Sequence, residues 1–284
     1  MRDEWHIVQR GNPFNFKKIV CDVREYSDLI ILFFKRDIKS VYQQTLLGPV
    51  WLLIQPIFTS IVFTVVFGNI AKIPIPANIS PFAFYILGLS FWNYFADCFN
   101  RISNTFVTNS SVFGKVYFPR LTVPISVLFA GLFKFLIQFV LFLVIFFYGA
   151  LFQGYSLAPN WTLALIPVYL LLLSLFSLGL GLIVSSFTTK YRDLTMLVTF
   201  GVQLLMYATP VAYPFLIVNS DSLFFKILLC NPLTGIIEAC KYSFTSNGLF
   251  SPLLITIDAT VIIIVLLSGV YIFSKVEKRF MDTV

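Results

Sequence analysis

The chain has 284 residues, of which 58% are hydrophobic and 12% are charged, and its mean hydropathy is +0.87. Soluble domains are about 25% charged, so this composition excludes a soluble globular protein and indicates a membrane protein. The net charge of +7 does not require a nucleic-acid partner, because the bias of cytoplasmic loops toward Lys and Arg produces it. Metal catalysis and histidine-based acid–base chemistry are excluded, since His6 is the single histidine and the four cysteines lack metal-binding spacing.

Residues 1–48 are polar and charged, and we predict that they form a cytoplasmic N-terminal segment. They lack the apolar run of a signal peptide. Between residues 23 and 41, apolar side chains recur with helical spacing while charged residues occupy the other positions. This pattern predicts an amphipathic helix that lies along the membrane surface. A helix packed on the soluble side of the protein itself is the alternative.

Residues 49–284 are predicted to form one transmembrane domain, and the fold class is an all-α membrane protein. Apolar runs long enough to cross a bilayer predict six spans, at about 49–70, 82–102, 121–148, 161–187, 194–213 and 252–273. The intervening residues 214–251 contain only short apolar stretches. We expect two short helices there that dip in from one face as a re-entrant pair.

The distribution of Lys and Arg predicts the orientation of the chain in the membrane. With six spans, the basic residues concentrate in the N-terminal segment, the second and fourth connections and the C-terminal tail. The opposite side holds only Lys72, Lys226 and Lys241. This asymmetry places both termini in the cytoplasm.

Phenylalanine is unusually frequent, with 33 residues, and aromatic residues make up 18% of the chain. One interpretation is lipid-facing bulk together with aromatic belts at the membrane interfaces. The other interpretation is an aromatic-lined path for a sugar-bearing or amphipathic substrate.

Few charges fall inside the predicted spans, and charges at such depth usually face a protein interior or a wet cavity. Lys134 lies about 16–20 Å into the third span, near the midplane. It is either half of a packing ion pair, for example with Asp258, or a positive point that attracts a phosphate-bearing substrate. Asp97 and Arg101 lie four residues apart near the cytoplasmic end of the second span, where a structural pair is the simplest interpretation.

Cys230 and Cys240 fall on the predicted outer side, where a disulfide is chemically possible, although their spacing does not demand one.

The chain has no G-x-x-x-x-G-K-[ST] sequence and therefore no phosphate-binding loop of its own. We find no convincing repeat, which argues against an inverted-repeat secondary transporter. The remaining classes are a permease driven by a separate motor, a membrane-embedded glycosyl- or acyltransferase, and a channel or scaffold without an energy source. The transferase is disfavoured because its acid, base or metal ligands are lacking.

A set of ordered motifs covers nearly the whole chain. They are YQQTLLGPVWLLIQP at 42–56, FGNIA at 67–71, FGKVYFPR at 113–120, SSFTTKYRDL at 185–194, ATPVAYP at 208–214 and NPLTGIIEACKY at 231–242. Together they resemble the permeases of type-2 ATP-binding-cassette polysaccharide exporters, and O-antigen exporters in particular. Permeases of capsule and wall-teichoic-acid exporters are near relatives of that group.

The resemblance implies a homodimer of six-span subunits in the bacterial inner membrane, bound to two copies of a separate nucleotide-binding ATPase subunit. ATP and Mg²⁺ would bind that partner, and this chain would bind no cofactor. The implied cargo is an undecaprenyl-diphosphate-linked polysaccharide. A drug or small-lipid exporter of the same superfamily is the alternative.

The resemblance also implies which residues function. The amphipathic helix and the loop between the second and third spans would contact the ATPase, with candidate residues Arg24, Asp28, Lys35, Lys115, Tyr117 and Arg120. The short outer helices would form a gate on the periplasmic side that includes Pro214, Asn231 and Pro232. The candidate substrate path comprises Tyr42, Trp51, Phe58, Tyr207 and Lys134.

Overall fold

The computed structural model describes residues 16–43, 50–113, 118–156, 158–191, 193–219 and 221–281. In these residues every regular element is a helix, which confirms the predicted all-α class. The α-helices are α1 (Phe16–Glu25), α2 (Ser27–Tyr42), α3 (Trp51–Phe63), α4 (Pro81–Ser103), α5 (Thr105–Thr108), α6 (Ser110–Phe113), α7 (Thr122–Phe152), α8 (Ile166–Thr188), α9 (Leu194–Tyr207), α10 (Leu223–Leu229), α11 (Pro232–Thr245) and α12 (Pro252–Met281). A π-helical segment (Thr64–Ile70) continues α3, and 3₁₀ turns cover Trp161–Leu165 and Phe215–Ile217.

Four segments of the described chain are long and apolar enough to cross a membrane. They are Trp51–Ile70, Thr122–Phe152, Trp161–Thr188 and Pro252–Glu277. The pair α10 and α11 is a fifth candidate only if the two helices count as one span, and they are bent by 84° at the break between them.

The other two predicted spans correspond to α4 and α9, which fall short for different reasons. With 23 residues, α4 is about 34 Å long, but polar side chains such as Asn93, Asp97 and Arg101 reduce its hydropathy. With 14 residues, α9 is apolar but only about 21 Å long. A total of six spans therefore stays a prediction.

Local sequence explains where α4 and α11 begin. Ser80 caps α4, because its Oγ accepts a hydrogen bond from the Ala83 N–H at 3.2 Å, and Pro81 occupies the first turn. Asn231 caps α11 in the same way through the Leu233 N–H at 3.1 Å and is followed by Pro232. The break between α10 and α11 is thus specified by the sequence.

Helix α4 lies at the centre of the bundle, packed against α3, α7 and α8, and α8 packs in turn on α12. Many phenylalanines fill this core, including Phe95, which stacks on Phe176 with ring centroids 5.7 Å apart. Phe142 lies edge-on to Phe244 of α11 at 4.8 Å. A large part of the phenylalanine content is therefore core packing, which neither interpretation of the composition anticipated.

The contact between α8 and α12 depends on two glycines. A Cβ atom added to Gly179 would lie 2.8 Å from the Leu266 Cα, and one added to Gly269 would collide with the Gly179 carbonyl. Small residues let membrane helices approach to backbone contact, and here they set the separation of the two helices.

Segments that the charge distribution assigns to one side of the membrane lie together at one end of the bundle. We call this end the α2 end. Hydrogen bonds there join the end of α4 to α8 and to α9, and another joins the segment before α7 to α12. The links are Thr188 Oγ1 to the Ser103 carbonyl (2.8 Å), Thr195 Oγ1 to Asn104 Oδ1 (3.1 Å) and the Arg120 N–H to Glu277 Oε1 (3.1 Å). The helix ends predicted to be cytoplasmic thus meet in space.

The opposite end, which we call the α11 end, gathers the predicted outer segments. Asn78, before α4, donates to the Thr245 carbonyl at 2.6 Å. Ser246 donates to the Ala158 carbonyl at 2.7 Å, and the Asn160 N–H donates to the Ser243 carbonyl at 3.1 Å. The helices therefore run alternately between two ends, while the assignment of the α2 end to the cytoplasm stays a prediction.

Candidate translocation and coupling site

Helix α2 lies against α7 and is held there by apolar and charged side chains together. Ile30 and Phe33 are buried, and the Phe33 ring contacts Phe118 with centroids 5.7 Å apart. Asp37 is 8% exposed and accepts hydrogen bonds from Arg36, at 2.9 Å, and from Arg101 of α4. The predicted amphipathic helix is therefore packed against its own protein along one face.

A line of alternating charges continues from α2 through α4 to α7. Arg101 lies 4.0 Å from Asp97 within α4, and Asp97 accepts a hydrogen bond from Lys134 Nζ at 2.9 Å. The alternative in which Lys134 pairs with Asp258 is wrong, because the partner of Lys134 is Asp97 of α4.

The contact with Asp97 fixes the level of the Lys134 ammonium group along α4. Asp97 is six residues from the end of α4 at Ser103, or about 9 Å. The Lys134 ammonium group lies at this level, because its Nζ contacts Asp97. The ammonium is thus shared with a carboxylate rather than isolated at the midplane.

Asp258 of α12 has different surroundings. It is buried against α11, where its Oδ2 atom lies so close to Gly235 that a Cβ atom there would collide with it. Among the described residues, Oδ2 has no hydrogen-bond partner.

The candidate ATPase contacts fall into three groups. Arg24, Asp28 and Lys35 are exposed on α1 and α2. Lys115 and Tyr117 lie outside the described residues. Arg120 is only 4% exposed, stacks over the Phe106 and Phe113 rings, and donates to the Glu277 carbonyl at 3.3 Å. Arg120 thus joins α12 to the start of α7. Because its side chain is buried, any part it has in coupling is indirect.

The candidate path residues lie on the two least buried long helices. Trp51 and Phe58 of α3 are 53% and 65% exposed, and Tyr207 of α9 is 60% exposed. Tyr42 is the last residue of α2, and its side chain is not among those that the structure describes. Within one subunit these aromatic residues do not form a cluster, since Trp51 lies at the α2 end and Tyr207 at the α11 end.

The candidate gate residues lie around the bend at the α11 end. Besides capping α11, Asn231 donates from Nδ2 to Thr209 Oγ1 at 3.0 Å. Pro232 occupies the first turn of α11, and Pro214 is buried just before the Phe215–Ile217 turn. Cys230 is exposed, Cys240 is buried and both are free, so the disulfide that the sequence left open is absent.

One cation in this region is buried, which its position between predicted spans did not indicate. The charge count assigned Lys241 to the outer side, and it does lie at the α11 end, but its side chain is only 2% exposed and its Nζ pairs with Glu238 at 3.4 Å. The signal that could have found it is the three-residue spacing of Glu238 and Lys241 within an otherwise apolar helix.

The sequence profile of the ABC-2 type transporter family matches residues 28–245. The chain belongs to this family. The resemblance stated from the motifs is thereby confirmed, and the protein is a membrane permease, the transport subunit of an ABC-2 type transporter.

Relatives of this ABC-2 permease include export proteins from two bacteria. Two proteins of Klebsiella pneumoniae named O-antigen export system permease protein RfbA are 29% and 28% identical over 259 residues, which cover 90% of this chain and 94% of each relative. A protein of the same name from Myxococcus xanthus is 26% identical over 268 residues, 94% of this chain and 99% of the relative. The similarity therefore extends over almost the full length of this chain and of each relative.

The described part of this permease offers no group of three or more His, Cys, Asp or Glu side chains that could hold a metal ion.

Proposed function

We propose that this chain is the transmembrane permease subunit of an ATP-driven exporter that moves undecaprenyl-diphosphate-linked polysaccharide, of the O-antigen type, across the bacterial inner membrane. The observation that carries the proposal is the similarity to O-antigen export permeases over at least 90% of this chain. A capsule or teichoic-acid glycan is the alternative cargo, and a drug or small lipid is a more distant one.

In the proposed architecture the permease has six spans, formed by α3 with its π-helical extension, α4, α7, α8, α9 and α12. Residues 1–48 and the C-terminal tail lie in the cytoplasm at the α2 end. The active unit is a homodimer. The exposure of α3 and α9 supports this, because these helices have few buried residues and leave apolar faces for lipid, a second subunit or substrate.

In the proposed coupling, two ATPase subunits bind ATP and Mg²⁺ and contact the exposed side chains of Arg24, Asp28 and Lys35. Lys115 and Tyr117 complete this contact, and Arg120 supports it from inside. The ion pair between Asp37 and Arg101 ties α2 to α4, so displacement of α2 by the ATPase would reach the spans.

In the proposed path, the diphosphate head group enters at the basic cytoplasmic mouth, and the sugar chain follows along aromatic faces. Aromatic rings stacked on sugar rings bind weakly and repeatedly, so they can pass a polymer without trapping it. Tyr42, Trp51, Phe58 and Tyr207 are the proposed contacts.

Co-purification tests whether the permease depends on a separate motor. When the chain is expressed with the ATPase subunit of its own exporter, we expect a stable complex whose ATP hydrolysis exceeds that of the ATPase alone. A glycosyltransferase, channel or scaffold would give no such complex. Failure to recover the ATPase with the permease would contradict the proposed mechanism.

The part that Lys134 plays can be decided by a double substitution. Lys134→Met alone leaves Asp97 without its nearest cation, so we expect glycan export to fall about tenfold or more. If the ion pair is only structural, Lys134→Met with Asp97→Asn will restore export because no unpaired charge remains. If the cation attracts the substrate phosphate, the double variant will stay as defective as the single one. Normal export by Lys134→Met would exclude the substrate role.

A further inference from the structure

The break between α9 and the outer helices surrounds a single buried cation. Lys241 Nζ donates to the carbonyl oxygens of Pro210, Val211 (3.3 Å) and Tyr213 (3.2 Å), and it also contacts Glu238. These carbonyls belong to the turn that follows α9, where the prolines at 210 and 214 prevent the helix from continuing. Carbonyls released by that break converge on the ammonium group, which satisfies them.

Helix α4 closes the other side of this site. The Lys241 ammonium lies 4.4 Å from the centre of the Phe84 ring, within cation–π distance. A Cβ atom added to Gly88 would lie 3.0 Å from the Val211 oxygen and 3.3 Å from the Lys241 Cε. A glycine at this position therefore lets α4, the turn after α9 and α11 meet around one cation.

Helix α11 is attached at further points, while α10 is not. The Asn231 and Ser246 side chains and the Ser243 carbonyl tie both ends of α11 to neighbouring segments. Within the described chain, no hydrogen bond joins a side chain of α10 to another helix. Its contacts are apolar, with Leu228 buried and the Phe225 ring 4.8 Å from Phe215.

We propose that Lys241 is a positioning residue that locks α11 to α4 and to the turn after α9, so that the outer gate opens by movement of α10 about the bend at residues 230–231. The two outer helices then act separately: α11 stays fixed and α10 moves. The gating half of this statement rests on the proposed export function.

The lock can be tested without any export assay, because two native cysteines report on it. In membrane vesicles treated with a maleimide, we expect Cys230 to react and Cys240 to stay protected. Gly88→Ala, which pushes against Val211 and Lys241, will raise the labelling of Cys240 at least tenfold. Cys98, buried in α4, will stay protected because the bundle itself remains folded.

The matched control is Gly201→Ala, since Gly201 of α9 has open space around its Cα and this substitution should leave Cys240 protected. Two outcomes overturn the lock: Cys240 remains unreactive in Gly88→Ala, or Cys98 becomes reactive together with it.

The moving part is identified by two disulfide pairs in a variant whose native cysteines are replaced by serine. Phe215→Cys with Phe225→Cys pins α10, and we expect glycan export to fall at least tenfold on oxidation and recover on reduction. Ala158→Cys with Ser246→Cys pins α11 and should leave export within twofold. Equal inhibition by both pairs, or none by the α10 pair, overturns the assignment. If the unmodified chain exports no glycan, the proposed function fails, whereas the labelling result still decides the lock.

Discussion

Replacing Lys241 with methionine will strongly destabilise the protein. The substitution leaves the Glu238 carboxylate, itself 1% exposed, without a cation, and it leaves the carbonyls of Pro210, Val211 and Tyr213 without their donor. Breaking a buried pair in this way costs about 3–5 kcal/mol. In detergent we expect the thermal midpoint of the purified protein to fall by about 10 °C.

The control for this effect is Lys226→Met, because Lys226 lies exposed on α10 and its charge contributes little to stability. Adding Glu238→Gln to Lys241→Met should recover part of the loss, since the unpaired carboxylate is then removed. A thermal midpoint for Lys241→Met equal to that of the wild type would contradict the arrangement described around this residue.

Replacing Gly179 with alanine will separate α8 from α12. The added Cβ atom would lie 2.8 Å from both the backbone N and the Cα of Leu266, and backbone atoms cannot move aside as a flexible side chain can. Overpacking of this kind costs about 1–3 kcal/mol and occasionally more. We expect a lower thermal midpoint and a smaller yield of folded protein, measured by size-exclusion chromatography in detergent.

Gly201→Ala provides the comparison, since no atom lies within 4 Å of the position of its added Cβ. Alanine is the better helix former by about 1 kcal/mol, so this variant should be as stable as the wild type or slightly more stable. If Gly179→Ala matched Gly201→Ala in stability, the close packing of α8 and α12 would be refuted.

The helices themselves could be predicted because each depends on a local pattern. Apolar runs interrupted by at most one charged residue indicated α3, α7, α8 and α12, and the same reasoning led to short helices on either side of Asn231 and Pro232. The capping side chain of Asn231 and the ring of Pro232 act within a few residues, so the sequence alone places the break between them. What these helices do as a gate stays a prediction.

Charged partners could not be predicted because they depend on which helix faces meet. The four-residue spacing identified Asp97 and Arg101, but the shorter contact of Arg101 is to Asp37, 64 positions away in the chain. Lys134 finds its partner on a neighbouring helix for the same reason. Counting Lys and Arg assigns each cation to one side of the membrane and carries no information on burial, so it could not show that Lys241 is buried.

The substrate path is the least predictable part from sequence. Aromatic residues identify a composition, but core packing, lipid contact and substrate contact all favour the same side chains. The exposure of Trp51, Phe58 and Tyr207 agrees with a surface used for contact, and a second subunit would decide which of them faces a channel.

Deletion of this chain from its bacterium, followed by location of the lipid-linked glycan, tests the central proposal most directly. A glycan-specific antibody applied to spheroplasts before and after permeabilisation distinguishes the two faces of the inner membrane. We predict that undecaprenyl-linked polysaccharide accumulates on the cytoplasmic face of the deletion strain and returns to the outer face when the wild-type chain is restored. Unchanged glycan on the outer face of the deletion strain would contradict the proposed function.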